Sequence, residues 1–115
     1  MRIAMLQMDV AEGDKERNIR HAFDLLEEAA SSADVLVMPE LWTIGYNFHD
    51  FKNRVTRPGD GLLERLSSFA AYHHVTLEAG TLPIEKEGAV KLEFFLLVTI
   101  LFIILVLWIP PFFAD

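Results

Sequence analysis

The 115 residues contain no cysteine. Disulfides, thiolate metal sites and cysteine nucleophiles are therefore excluded for this sequence. Basic residues are scarce: ten Lys and Arg stand against seventeen Asp and Glu, a net charge of −7. A nucleic-acid face needs a basic excess, so no nucleic-acid partner is expected. A secretion leader is not expected either, because the apolar run after Arg2 is broken by Gln7 and Asp9, too early for a leader core. Internal repeats and low-complexity segments are missing, and the length allows one domain.

Charge is also missing locally. All ten basic residues and sixteen of the seventeen acids lie at or before Glu93, and none falls between Phe94 and Ala114. The sequence thus reads as an acidic α/β part over 1–90 and an apolar tail of unrelated composition over 91–115.

In the first part, Ile3 to Met8 form a short apolar run that fits a buried strand. Asp14 is placed as a helix N-cap, and Ile19, Ala22, Phe23, Leu26 and Ala30 follow at helical spacing. Ser31 to Asp34 end that helix, and Val35 to Met38 form a second buried strand. Strand, helix, strand at this spacing predicts a parallel βαβ unit. After a loop carrying Gly45, Asn47, His49, Asp50 and Asn53, the turn-rich stretch from Arg57 to Gly61 opens a second helix. Its apolar face is Leu62, Leu63, Leu66, Phe69 and Ala70. Val75 to Ala79 read as a third strand closed by Gly80, with a hairpin-like polar turn at Glu85 to Gly88.

Glu40 is the residue with chemical promise. It follows Pro39, which ends strand pairing, and precedes Leu41 and Trp42. In open α/β sheets, sites are built at the carboxyl ends of strands. A carboxylate among these apolar neighbours would be poorly solvated, a setting that suits a general base. The alternative is an ordinary exposed loop glutamate. Trp42, Tyr46 and Phe48 read either as lining the mouth of a substrate pocket or as loop anchors. Glu78, in mid-strand, needs a partner or faces a solvated side. His21, His49, His73 and His74 lack metal-ligand spacing, so neither metal nor cofactor is expected.

Met38-Pro39-Glu40-Leu41-Trp42, followed by Gly45-Tyr46, resembles the first signature of the nitrilase (carbon–nitrogen hydrolase) superfamily. Met5 to Met8, Asn18-Ile19, Ala33 to Met38, Pro58-Gly59 and Ala79 to Pro83 follow in the family's order. The resemblance covers roughly Met1 to Gly88. It implies an α-β-β-α sandwich, of which this chain carries the N-terminal part. It also implies a small amide or nitrile as substrate of the complete domain. In the family a cysteine attacks the substrate carbon, a glutamate is general base and a lysine stabilises the oxyanion. By the match Glu40 takes the base position. The lysine motif and the cysteine have no counterpart here, and Lys86 and Lys91 fall too close to the third strand. The chain is therefore expected to be catalytically inactive.

The tail holds a sixteen-residue run, Phe94 to Ile109, in which only Thr99 is polar. Its length and lack of alternation predict one helix, while its β-branched residues leave buried strands as an alternative. Sixteen helical residues reach about 24 Å, short of a bilayer core of ~30 Å. The readings that stay open are a membrane-anchored interaction or scaffold protein with its N-terminal part cytoplasmic, and a wholly cytoplasmic chain, with or without self-association. The abrupt switch in composition predicts a frameshift or a gene truncation.

Overall fold

The computed structural model describes residues 1–46, 54–57, 59–86 and 89–97. The strands are β1 (Ile3–Met5), β2 (Val35–Val37), β3 (Thr76–Lys86) and β4 (Ala89–Leu97), and the helices are α1 (Lys15–Ala30) and α2 (Leu62–His73). One sheet has the order β1-β2-β3-β4. The first three strands are parallel, and β4 returns antiparallel to β3.

α1 begins as its sequence predicts. The Asp14 carboxylate accepts the Arg17 N–H at 3.2 Å, and Ser31 closes the other end. Ala22, Leu26 and Ala30 are buried along the expected stripe. α2 starts at a left-handed Gly61, whose lack of a side chain leaves Asp60 to act from one residue further back. Asp60 accepts the Leu62 N–H at 3.0 Å, the Arg57 N–H at 3.1 Å and the Lys15 ammonium at 3.2 Å. Burial works against the ionised Asp60 carboxylate. The two backbone N–H groups and Lys15 outweigh it and hold its pKa below the ordinary aspartate value.

Both helices bury their apolar faces against one side of the sheet. Leu62, Leu66, Phe69 and Ala70 of α2 share a core with Ala22 and Leu26 of α1 and with Leu36, Leu77 and Ala79 of the strands. The Phe23 and Phe69 rings meet edge-on at 6.2 Å, and the Arg65 guanidinium lies 4.3 Å above the Phe23 ring. His73 pairs with Glu27 at 3.3 Å, a further link between the helices. Side chains alternate across a strand, so the opposite side carries Ile3, Met5, Val35 and Val37. No described helix covers that side, and Ile3 and Met5 are 59% and 79% exposed.

Three elements differ from their sequence-based expectation. β1 stops at Met5, because pairing with β2 extends only over Val35–Val37. β3 passes through Gly80 and continues to Lys86. Gly80 takes a left-handed φ of +72° at a register shift between Glu78 and Thr81, which is a bulge rather than an end. β4 is a strand through Leu97, which corrects the expectation of a single helix starting at Phe94. The hairpin pairs Lys86 with Ala89, and once that register is set β3 offers partners up to Leu97. Tertiary pairing overrides a local apolar run that favours neither state decisively. Residues 98–115, as well as Phe48 and His49, lie outside the described residues. Among the described residues no helix is long and apolar enough to cross a membrane.

Candidate active site

The site is built where β2 ends. The Met38 N–H donates to the Glu78 carbonyl at 2.8 Å and is the last ladder bond before Pro39, which has no N–H to give. The chain then turns sharply. Leu41 adopts φ +48°, a conformation costly for a residue with a Cβ. Strain of this kind is held only where neighbours over-determine it, and they do so here. The Leu41 N–H donates to the Thr81 carbonyl at 3.0 Å, and its own carbonyl accepts the Gly45 N–H at 2.7 Å.

Trp42 is wholly buried, and its indole N–H donates to the Ala79 carbonyl at 2.7 Å. Of the two readings for this residue, its placement is that of an anchor inside the core, not of a ring at a pocket mouth. Gly80 lies against the same turn: a Cβ there would overlap the Pro39 carbonyl oxygen and lie 3.2 Å from Cδ1 of Trp42.

Asn18 locks the turn from the helix side. Its amide is buried and donates to the carbonyls of Thr43 and Ala11, both at 2.8 Å. Its carbonyl oxygen accepts the Ala11 N–H at 2.7 Å. The Gly13 N–H adds a bond to the Ile44 carbonyl at 2.9 Å. The sequence presents Asn18 only as part of a resemblance. The usable signal was an amide on a helix face otherwise facing the core, a position that demands partners.

Glu40 projects from this fixed turn and is exposed. The expectation of a poorly solvated carboxylate is corrected on that point: Leu41 and Trp42 turn inward and leave the acid outside. Tyr46, 61% exposed, extends its hydroxyl to Oε2 of Glu40 at 3.4 Å. Structure thus brings Glu40 and Tyr46 together at the carboxyl end of β2. Lys86 stands five residues beyond Thr81 along β3, about 16 Å further on, and Lys91 pairs with Ile84 in the same distant part of the hairpin.

Glu78 finds its partner within the bulge. Its Oε1 accepts the Gly80 N–H at 2.6 Å. Burial raises its pKa above the ordinary glutamate value, and that hydrogen bond offsets only part of the rise. A separate depression of about 320 Å³, lined by Asp9, Arg17, Asn18, Arg20, His21 and Asp24, does not include Glu40. Among the described residues no three His, Cys, Asp or Glu side chains converge on a common point.

The profile of the family described as "Carbon-nitrogen hydrolase" matches residues 2–103. The chain belongs to the carbon–nitrogen hydrolase family. It is 34% identical over 88 residues to a 2-oxoglutaramate amidase of Bacillus subtilis. That match takes in 76% of this chain and 34% of the amidase, so the chain spans about a third of that relative's length. Among solved structures, Saccharomyces cerevisiae Nit3, a member of the nitrilase superfamily, superposes with a TM-score of 0.71 at 21% identity. The match covers 85% of this chain and 40% of Nit3. An amidase from Nesterenkonia sp. gives 0.59 at 28% identity, over 72% of this chain and 32% of that one. A carbon–nitrogen hydrolase fold therefore accounts for the βαβ unit, the second helix and the β3–β4 hairpin together.

Proposed function

We propose that this chain carries the base-bearing part of an amidase-type hydrolase, in which Glu40 is the general base toward a small amide or nitrile. The observation behind this reading is the turn at Glu40. A strained Leu41, a buried Trp42 and a close-packed Gly80 hold one exposed acid at the carboxyl end of a parallel strand. A fixed, accessible carboxylate is what proton transfer to or from a bound substrate or water requires. Tyr46, beside it, is assigned to the substrate side of the turn, and Trp42 supports the turn from below.

The family's scheme needs a nucleophile and an oxyanion donor as well. The 115 residues hold no cysteine, and Lys86 and Lys91 belong to the far part of the hairpin. The parts of a nucleophile–base unit accomplish little separately. The 115-residue chain by itself is therefore proposed to be inactive. The test is turnover of small amides and nitriles by the purified chain. No rate above the uncatalysed background is expected. A rate that disappears in Glu40→Gln would refute inactivity while supporting the base assignment.

A further inference from the structure

We propose that Glu78 is a positioning residue for the turn that presents Glu40: its bond to the Gly80 N–H closes the β3 bulge on which that turn is hung. The inference rests on the reading of Glu40 as general base.

Four consecutive residues of β3 hold the turn. The Glu78 carbonyl accepts the Met38 N–H, the Ala79 carbonyl accepts the Trp42 indole N–H, and the Thr81 carbonyl accepts the Leu41 N–H. Between them Gly80 lies against the Pro39 carbonyl. In a regular strand successive carbonyls point to opposite neighbours, so three of four could not serve one segment. The bulge removes that restriction. Glu78 stands opposite Leu96 and Thr81 opposite Phe94, so Ala79 and Gly80 together face Phe95 alone. Such an irregularity takes a residue out of the ladder and bends the strand. The shape of the bulge therefore sets the shape of the turn.

Glu78 braces the bulge from within. Its Oε1 accepts the Gly80 N–H at 2.6 Å, a short, charge-assisted bond. Packing alone does not call for an acid at this position. Its row partners are Val37 and Leu96, with Met5 beyond Val37, and burial works against its charge. A valine would suit the row and the strand equally well. What the carboxylate adds is the bond to Gly80.

The test uses the 115-residue chain carrying Glu40→Gln, in which that acid's own titration does not register. Turnover plays no part in it, so its failure is distinct from failure of the base assignment. Glu78→Val removes the acceptor, and Glu78→Gln keeps one. Hydrogen exchange at the Leu41 N–H is expected to be at least tenfold faster in Glu78→Val and within threefold of the starting chain in Glu78→Gln. Exchange at the Leu26 N–H of α1 should change less than twofold in both. If Glu78→Val does not fold, a second measurement decides. The Trp42 indole cross-peak, told from that of Trp108 by Trp108→Phe, should move between about pH 3 and pH 8 as Glu78 titrates. It should stay fixed in Glu78→Gln. Val37, Leu96 and Met5 do not titrate, and Glu93 stands beyond the bulge opposite Leu82. Four results would overturn the proposal. They are a smaller rise at Leu41, an equal rise at Leu26, an equal rise in Glu78→Gln, and an indole cross-peak that ignores pH or follows it in both chains.

Discussion

Gly80 backs onto the Pro39 carbonyl so closely that a Cβ at position 80 would occupy the oxygen's space. This contact joins the bulge of β3 to the residue that precedes Glu40, and it explains why the strand does not end at its glycine. Gly80→Ala meets two penalties, a left-handed φ of +72° and a backbone overlap that no rotamer can relieve. It should lower stability by at least about 2 kcal/mol. Urea unfolding followed by far-UV circular dichroism measures the loss.

Asn18→Leu keeps the number of side-chain heavy atoms and removes all three of the hydrogen bonds. The Thr43 carbonyl and both backbone groups of Ala11 lose their partner. The expected cost is about 2–4 kcal/mol. Asn18→Asp should be no milder, because a carboxylate oxygen would then face the two carbonyls that the amide N–H groups now satisfy. Faster hydrogen exchange at the Ala11 N–H would locate the damage.

Two carboxylates give opposite pH dependence. Asp60 has a folded pKa below its unfolded value, so its stabilising contribution is present above the unfolded value and is lost as pH falls through the folded one. Glu78 has a folded pKa above its unfolded value, so its contribution is present at low pH and is lost as pH rises through the folded value. Glu78→Gln should therefore be more stable relative to the parent at pH 7 than at pH 4. Asp60→Asn should lose stability at pH 7, and that deficit should shrink in acid. Unfolding midpoints at several pH values separate the two.

Glu40→Gln should leave stability within about 0.5 kcal/mol of the parent, since an exposed side chain with one long hydrogen bond carries little folding energy. The same unfolding assay checks this, and the result matters because it separates a functional acid from a structural one.

Much of the fold was legible because periodicity is a strong signal for amphipathic helices. Ala22, Leu26 and Ala30 are buried as their spacing requires, and Leu62, Leu66, Phe69 and Ala70 likewise. Asp14 as the N-cap was legible from local chemistry alone. The extent of β3 and the strand state of Phe94 to Leu97 were not, because both depend on pairing between residues brought together by the hairpin. Glu40 could be placed at a strand end from Pro39, but its solvation could not. That depends on Leu41 turning left-handed and on Trp42 reaching Ala79, contacts that no linear spacing encodes.

The central claim is that Glu40 is the acid the family's chemistry needs. The most direct measurement replaces the matching segment of the Bacillus subtilis 2-oxoglutaramate amidase with the 88 residues of this chain that align to it, and follows amide hydrolysis. The chimera is expected to turn over, and its Glu40→Gln form to lose activity by 10²–10⁴-fold with the fold intact by circular dichroism. A folded chimera whose Glu40→Gln form hydrolyses the amide as fast as its parent would contradict the account.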